Sequence, residues 1–461
     1  MAALGSQRET ACFLQRKESV YGPATEIQIH CENRMIVELM PVYINGGSSH
    51  SRTHPAPRDI SMTQPEAPAA SPSSRAVAPG PLDGVRVLDL TNMLSGPYCT
   101  RLLADLGAEV IKVEPLHGDH NRGRRPVRNG HSSFFGHLNC GKKSVVLNLK
   151  NAAGKAAALA IARQCDVVVE NWRPGVADRL GLGYEAVRAL RSNVVYCSIS
   201  GFGQTGPSAR RPAYAPIIHA ASGFDLAQVE YQGGGKPQNT ATYTADVFGG
   251  MSAFAAIQAA LFHRERSGAG QYIDVALLDG MLNLLVAECQ EWQAPTPAPS
   301  RVYPPLQAQD GFIVIAPTSQ NNFEALTRVI GREDWLSDPR FVSTVTRERN
   351  WAEMMALIEN WTRLHTSADA EQQLMAAGVP CTRYLSVQEA LTSEQLRARG
   401  ATSKVRDVVG EYLVPHAPFQ LPGLHAAPRR DVPALGAHSD SVLAELVGLN
   451  AQQAAACRAA H

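Results

Sequence analysis

The stretch GVRVLDLTNMLSGPYCTRLLADLGAEVIKVE (84–114) decides the fold class of this chain. It opens on VRVLDL (85–90), a mainly apolar run of the kind found in strands that are buried on both faces of a parallel sheet. Leucines at helical spacing follow, and Gly107 ends that helix before a second apolar run, VIKVE (110–114). A strand, a helix and a strand in this order predict a parallel β-α-β unit.

The same alternation continues along the chain. Strand-like runs over 144–149, 166–171 and 193–203 are separated by helical patterns, and a long helix over 245–268 is closed by Gly268. Regular alternation of strands with helices predicts a parallel, doubly wound sheet. The sequence therefore predicts an α/β fold whose large domain is Rossmann-like.

Composition divides the chain further. Residues 1–80 end in a segment rich in Pro, Ser and Ala, which cannot bury enough apolar surface to offset its ordering entropy, so we predict a disordered N-terminal extension. A large domain over 81–290 and a Pro-rich linker over 291–306 follow. Residues 307–405 are predicted to form a smaller α+β domain, and 406–461 to return to the large domain.

Local patterns inside the smaller domain predict its elements. The apolar run over 311–317 predicts a strand, and 321–331 predicts a helix with an Asn cap. Periodic apolar positions over 347–364 and over 387–400 each predict one helix. Strands and helices are thus mixed here without the regular alternation of the large domain.

Charge and apolar content exclude several classes of protein. Lys plus Arg total 43 and Asp plus Glu total 42, for a net charge of +1, which offers no global attraction for nucleic acid or an anionic membrane. No run of about 18 apolar residues predicts a membrane span, and the N-terminus lacks the pattern of a secretory signal. Nine scattered cysteines without a CxxC pair favour a reduced, cytoplasmic location and give no metal pattern.

Six motifs stand in a fixed order along the chain. They are GPLDGVRVLDLTNMLSGPYCTRLLADLGAEVIKVEPLHGD (80–119), LNCGKKSVVLNLKNAAGK (138–155), CDVVVENWRPGVADRLGLGYEAV (165–187), SISGFGQTGP (198–207), ADVFGGMSAFAAIQAAL (245–261) and LGAHSDSVLAELVGL (435–449). Together they resemble the class III CoA-transferases, the CaiB/BaiF family. The resemblance implies acyl-CoA and a small carboxylic acid as substrates, no prosthetic group, and an interlocked homodimer.

The resemblance gives Asp246 a catalytic role. In the family, the aspartate at this place attacks the acyl-CoA thioester, forms a mixed anhydride and then carries CoA as an aspartyl thioester. Judged by local sequence alone, Asp246 is only a good N-cap residue. The two glycines that follow, Gly249 and Gly250, either let a thioester approach the backbone or serve helix packing.

The resemblance also assigns residues to CoA. The segment 147–150 would hold the adenine, 171–173 would line the pantetheine path, and backbone groups of the first strand–helix turn would contact CoA. An arginine suited to phosphate and a tyrosine near the thioester complete the set. The candidates are Leu94, Ser95, Leu147, Asn148, Lys150, Asn171, Trp172, Arg173, Arg179 and Tyr214.

Two other activities remain open at this point: an acyl-CoA racemase or isomerase of the same family, and a non-catalytic CoA-binding protein. The racemase branch uses a histidine and a glutamate where this chain has Tyr214 and Gln320, and neither replaces a group that shuttles protons near neutral pH. His219 is expected to be a core or surface residue. The basic run RGRRPVR (122–128) is expected to be an exposed loop or a rim for CoA phosphates.

The acceptor acid could be a dicarboxylate. On charge alone, Arg301 or the pair Arg210 and Arg211 is a candidate to hold its second carboxylate.

Overall fold

The structure is a computed structural model that describes residues 79–238, 240–295 and 302–459, together with the backbone of two strands near the N-terminus. These strands, β1 (Phe13–Lys17) and β2 (Glu26–His30), pair antiparallel with each other. The rest of the N-terminal extension lies outside the described residues, so its disorder stays a prediction. Residues 75–461 form one compact unit.

The strands and helices of this unit follow one another along most of its length. Its strands are β3 (Arg86–Asp89), β4 (Glu109–Glu114), β5 (Val127–Arg128), β6 (His131–Ser132), β7 (Lys143–Val146), β8 (Val167–Glu170), β9 (Val195–Ser200), β10 (Gln271–Ala276), β11 (Leu306–Gln307), β12 (Phe312–Ile315), β13 (Cys381–Arg383), β14 (Thr402–Arg406) and β15 (Glu411–Pro415). Its helices are α1 (Ser95–Asp105), α2 (Ser133–Asn139), α3 (Ala152–Arg163), α4 (Val176–Leu180), α5 (Tyr184–Leu190), α6 (Ala215–Ala221), α7 (Phe224–Tyr231), α8 (Thr244–Ser267), α9 (Leu277–Leu284), α10 (Val286–Gln293), α11 (Gln320–Val329), α12 (Thr344–Arg349), α13 (Trp351–Thr362), α14 (Ser367–Ala376), α15 (Val387–Leu391), α16 (Glu394–Ala398), α17 (Ser439–Val442) and α18 (Ala451–Ala456).

A six-stranded parallel sheet forms the centre of the large part of the chain. Its strands lie in the order β10-β9-β8-β3-β4-β7. One face packs against α1, α6, α8 and α9, and the other packs against α3, α5 and the C-terminal tail. Every residue of β8 and β9 is buried, and both strands accordingly appear in the sequence as mainly apolar runs. The predicted α/β fold with a parallel sheet is confirmed.

The strand order reverses between β3 and β8, which are neighbours at the centre of the sheet. Chain connections leave this point in opposite directions, toward β4 on one side and toward β9 on the other. The loops after β3 and β8 therefore flank a crevice at the carboxyl edge of the sheet. Ligands of doubly wound folds bind in such a crevice.

A three-stranded antiparallel sheet, β11-β12-β13, begins the second part of the chain. Helices α11 to α14 cover it, and their shared core centres on Phe323, Trp335 and Phe341, none of which is exposed. Its strand and helices match the α+β pattern predicted for 307–405. The division into separate domains at the predicted boundaries stays a prediction.

Three predicted details of this part are wrong. The helix expected over 347–364 is two helices, α12 and α13, with Asn350 between them. The helix expected over 387–400 breaks into α15 and α16, because the Ser393 hydroxyl accepts a backbone N–H and starts a new helix. Helix α11 is capped by Ser319 rather than by an asparagine.

The hairpin β14–β15 is an element that the sequence patterns did not predict. Its strands pair with each other over their full length. Val405 and Val414 are buried against Cys140, and the Arg101 guanidinium donates a 2.9 Å hydrogen bond to the Pro415 carbonyl. The hairpin is thus fixed by contacts with the large sheet domain rather than by its own composition.

Helix α8 is the longest helix of the described ranges and carries Asp246 in its first turn. By length and composition alone it is apolar enough to cross a membrane, which is weak evidence because core helices share these properties. In this structure it packs against α1 and α9, and residues such as Ala253 and Ile257 are fully buried. The helix thus anchors Asp246 to the core.

Candidate active site

A cavity of about 460 Å³ opens at the crevice between β3 and β8. Its wall includes the two loops at the strand-order reversal, the end of β9, the start of α6 and the first turn of α8. The lining residues are Asn92, Met93, Leu94, Ser95, His120, Arg124, Asn171, Trp172, Arg173, Ile199, Ser200, Gly201, Ala213, Tyr214, Ala215, Pro216, Tyr243, Asp246 and Leu277. Seven of the residues selected from the sequence therefore share one cavity.

The two loops at the crevice are joined by a reciprocal pair of hydrogen bonds. The Asn92 N–H donates to the Asn171 side-chain oxygen at 2.9 Å, and the Asn171 side-chain amide donates to the Asn92 carbonyl at 2.7 Å. Each bond satisfies a backbone group that has no strand partner at this point. The cavity floor is therefore held as one piece.

Asp246 is the acidic residue of this cavity. It is the third residue of α8 and not its N-cap, a position held by Tyr243, so the simple capping interpretation is wrong. Burial raises the pKa of the Asp246 carboxyl to about 6, and the nearby charge of Arg124 opposes that rise. Near pH 7 the carboxylate is mostly ionised, yet it is more basic than an ordinary aspartate.

Arg124 is a cavity residue that the sequence analysis did not single out. One of its terminal nitrogens donates a 2.5 Å hydrogen bond to the Tyr243 hydroxyl. Its guanidinium lies over two rings, 4.6 Å from the Phe134 centroid and 4.8 Å from the Tyr243 centroid. His120, on the preceding 3₁₀ turn, also lines the cavity and was missed.

The basic run 122–128 is therefore more than an exposed loop or phosphate rim. Arg122 forms a 2.6 Å ion pair with the buried Glu114, and Arg128 forms a 2.9 Å pair with Asp407. Both arginines are structural, whereas Arg124 between them faces the cavity. The sequence of this run shows its charge but not the direction of each side chain.

The glycines after Asp246 serve helix packing. A Cβ on Gly249 would lie 2.1 Å from a Leu277 methyl, and a Cβ on Gly250 would lie 2.6 Å from the Ser95 carbonyl oxygen. Without side chains at these positions, α8 reaches the first turn of α1 and the start of α9. Of the two roles that the sequence left open for these glycines, thioester approach and helix packing, the contacts support helix packing.

His219 is a buried core residue that supports the start of α8. Its Nε2 accepts a 3.1 Å hydrogen bond from the Ala245 N–H, next to Asp246. Burial lowers the pKa of the imidazole, which keeps Nε2 available as an acceptor. His219 is 1% exposed and does not line the cavity, as expected for a core histidine.

A buried charge network supports the loop after β3. Lys142 and Asp89 form a 3.0 Å ion pair, and Asp89 accepts the Thr91 N–H at 2.9 Å. Lys112 donates to the Thr91 carbonyl at 2.7 Å and pairs with Asp119 at 2.9 Å. Burial opposes ionisation of Asp89, but the lysines and hydroxyl donors outweigh it and hold its pKa at about 2. Buried ion pairs and hydrogen bonds thus hold the loop after β3 in place at the cavity wall.

A second cavity of about 450 Å³ adjoins the first along the carboxyl edge of the sheet. Asn92 and Trp172 line both cavities. Leu147, Asn148 and Lys150 line the second one, as do residues at the ends of β3 and β4. The Asn148 amide also donates to the Ala459 carbonyl at 2.7 Å, so the C-terminal tail helps to shape this wall.

Four of the sequence candidates lie elsewhere. Arg179 is exposed on α4 and lines neither cavity. Arg210 and Arg211 are also outside both linings, and Arg301 lies outside the described residues. The Arg211 guanidinium lies over the Phe202 ring instead. None of these three arginines is therefore supported as a holder of a second carboxylate.

The racemase-related position behaves as a structural residue. The Gln320 side-chain oxygen accepts a 2.7 Å hydrogen bond from Arg347, and its amide donates to Glu324. Gln320 belongs to α11 and does not line the cavity of Asp246. Tyr214 does line that cavity, and its side chain is 61% exposed. Within the described ranges, no group of three or more His, Cys, Asp or Glu side chains could hold a metal ion.

Comparison with known proteins assigns the family. The family model for CoA-transferase family III matches residues 82–439. The acetyl-CoA:oxalate CoA-transferase of Acetobacter aceti is 39% identical over 354 residues, which cover 75% of this chain and 90% of that protein. The succinate–glutarate CoA-transferase of Agrobacterium fabrum is 33% identical over 385 residues, which cover 79% of this chain and 96% of that protein.

Solved structures agree. A CaiB/BaiF family protein from Brucella suis aligns with a TM-score of 0.70 at 32% identity, and the match covers 80% of this chain and 100% of that one. The motifs and the fold thus agree with those of one known family. The chain belongs to family III of the CoA-transferases and is a CoA-transferase.

Proposed function

We propose that this enzyme moves CoA from an acyl-CoA to a carboxylic acid with Asp246 as the covalent carrier. The observation that carries the proposal is the position of Asp246. Its carboxylate lines a cavity that adjoins a second one along the sheet edge, so a long thioester has room to reach it. The raised pKa of Asp246 leaves the carboxylate ionised at neutral pH while increasing its basicity.

The proposed reaction begins with two exchanges on the donor. The Asp246 carboxylate attacks the thioester carbonyl, the carbon–sulfur bond breaks, and CoA leaves as thiolate. A mixed anhydride now joins Asp246 to the donor acyl group. The thiolate then attacks the aspartyl carbonyl, which releases the donor acid as a carboxylate and leaves Asp246 as a CoA thioester.

The acceptor acid reverses these steps. Its carboxylate attacks the aspartyl thioester, the thiolate leaves again, and a second mixed anhydride forms. The thiolate attacks the acceptor carbonyl, so that the new acyl-CoA forms and Asp246 is released as a carboxylate. A fixed cavity floor favours this sequence because the thiolate must stay close to Asp246 between its departure and its return.

The same proposal places CoA along the two cavities. The adenine end would lie against Leu147, Asn148 and Lys150, and the pantetheine arm would pass Trp172, which lines both cavities. Leu94 and Ser95 would contact the arm near the start of α1. The proposed phosphate contacts are Arg173, which lines the first cavity, and Arg179, which lines neither cavity but is exposed on α4, the helix that follows the Arg173 loop.

Incubation with a panel of acyl-CoA donors and acceptor acids tests the proposal. The wild type should exchange CoA, and hydroxylamine should trap an adduct on Asp246 that mass spectrometry locates. Asp246→Ala should lower exchange by at least ~10³-fold and abolish the adduct. Asp279→Ala removes an exposed carboxylate of α9 outside the cavity and should exchange CoA as the wild type does.

Exchange that persists in Asp246→Ala would contradict the mechanism. Deuterium entry at the α-carbon of an acyl-CoA without any acid exchange would support an isomerase in place of the transferase reaction. Binding of CoA without either reaction would support the non-catalytic alternative.

A homodimer and a cytoplasmic location belong to the same proposal. The apolar side chains of Leu226, Val286 and Trp292 are 58%, 69% and 84% exposed on α7 and α10, which supports a partner surface there. The seven cysteines of the described ranges are free, which suits a reducing compartment. Light scattering should give twice the chain mass, and cell fractionation should place the protein in the cytoplasm.

A further inference from the structure

We propose that Arg124 is the specificity-determining residue of the acceptor site, where it binds the second carboxylate of a dicarboxylic acid. The inference rests on the proposed function, because it concerns the acid that meets Asp246. It replaces the arginines that charge alone suggested with one that the fold places in the cavity.

Arg124 is held in position before any substrate arrives. Its backbone carbonyl accepts a 2.6 Å hydrogen bond from the Ser132 hydroxyl, which also caps the helix that carries Phe134. The guanidinium is then flanked by the rings of Phe134 and Tyr243 and bonded to the Tyr243 hydroxyl. A guanidinium fixed in this way loses little side-chain entropy when it binds an anion.

The charge of Arg124 is not neutralised by an ion pair within the described part of the chain. Its one side-chain hydrogen bond there goes to the neutral Tyr243 hydroxyl, although a guanidinium offers five N–H donors. Arg122 and Arg128, its neighbours in the same basic run, are both paired with carboxylates. Arg124 differs from them in facing a cavity with unused donors, arranged to suit a carboxylate.

Arg124 and Asp246 line the same cavity without a hydrogen bond between them. The space between the two groups is where an acceptor acid would lie, with one carboxylate at Asp246 and the other at Arg124. The other basic residues of the lining suit this role less well. Arg173 is exposed, and His120 lacks the double donor of a guanidinium.

The charge balance of the reaction favours a diacid. When Asp246 becomes an anhydride or a thioester it loses its negative charge, and Arg124 then faces a neutral group. A second carboxylate on the acceptor supplies a negative charge to Arg124 throughout the steps in which Asp246 is acylated. A monocarboxylic acid offers Arg124 no distal carboxylate in those steps, so the transition states for its transfer are less stabilised.

Matched acceptors measure this preference in the wild type. Succinate with butyrate, and malonate with propionate, differ only by a methyl in place of the distal carboxylate. At pH 8, where Asp246 is ionised, kcat/KM should be roughly 10- to 100-fold higher for each diacid, the range expected for one charge-assisted carboxylate contact. Equal kcat/KM values for the diacid and the monoacid of each pair would overturn the proposal, regardless of the results with the variants.

Variants test whether Arg124 is the source of the preference. Arg124→Gln should lower kcat/KM for the diacids by roughly 10- to 100-fold and leave the monoacids within a few-fold. Arg124→Lys should retain part of the preference because it keeps the charge. Arg125→Gln removes an exposed neighbouring charge outside the cavity and should keep the wild-type ratio.

The outcomes separate this inference from the proposed function. A parallel loss for diacids and monoacids in Arg124→Gln would mean that Arg124 acts on Asp246 and not on the acid, and would overturn the inference. CoA exchange restricted to monoacids in the wild type would also overturn it while leaving the transferase mechanism intact. No exchange with any acid would refute the proposed function itself.

Discussion

The rate of acylation of Asp246 should fall as the pH drops through 6. The pKa of this carboxyl is raised from 3.8 to about 6 by burial. Because the raised pKa favours the neutral acid, the nucleophilic carboxylate is present above pH 6 and is lost below it. At pH 5 roughly one-tenth of the enzyme would carry the carboxylate, against roughly nine-tenths for an ordinary aspartate.

Single-turnover acylation measures this directly. The enzyme is mixed with a saturating acyl-CoA in the absence of an acceptor acid, and the adduct is trapped with hydroxylamine at intervals. Saturation removes the pH dependence of CoA binding from the measured rate. The rate at pH 5 should be roughly one-tenth of its plateau value, with a break near pH 6.

Two arginine variants test whether electrostatics set the pH of this break. Arg124→Gln removes the cation that lowers the pKa of Asp246, so the break should move to higher pH. Arg125→Gln, one residue further along and outside the cavity, should leave the break in place. A break near pH 4 in the wild type, or no upward move in Arg124→Gln, would refute the electrostatic reasoning.

Two further predictions concern the scaffold of the site. Gly250→Val places a Cβ 2.6 Å from the Ser95 carbonyl oxygen, so α8 must shift. The free energy of unfolding in urea should fall by about 1–3 kcal/mol, and acylation should be slower. Wild-type values for both would contradict the packing role of Gly250. Lys142→Met leaves the fully buried Asp89 carboxylate without its 3.0 Å partner. The free energy of unfolding in urea should fall by about 3–5 kcal/mol. A fall of less than about 1 kcal/mol would show that stability does not depend on this charge network.

The sheet could be predicted from the sequence because its signal is local and repeated. Most strands of the central sheet contain a short apolar run, and several of these runs are followed by a helical pattern. The hairpin β14–β15 lacked such a signal, since it buries only Val405 and Val414 and depends on Cys140, far away in the chain. The helix breaks at Asn350 and Ser393 were missed because each depends on a single polar residue within a stretch of otherwise helix-compatible residues.

The lining of the candidate active site could be predicted in part, for a related reason. Asp246, Trp172 and Tyr214 were found because they belong to motifs whose order along the chain is distinctive. Arg124 was not, because its position depends on Tyr243, which is 119 residues away in the sequence. A run of arginines shows its charge, but only the packing around each side chain shows which member faces the cavity.

The hydrogen bonds between Asn92 and Asn171 also bear on which of the two positions tolerates substitution. Both bonds join the Asn171 side chain to backbone groups of Asn92, although the two residues lie 79 positions apart. A replacement at Asn171 alone leaves both the N–H and the carbonyl of Asn92 without these partners at the cavity wall. We therefore expect position 171 to tolerate substitution less well than position 92, where both bonds use only backbone groups that every residue except proline supplies.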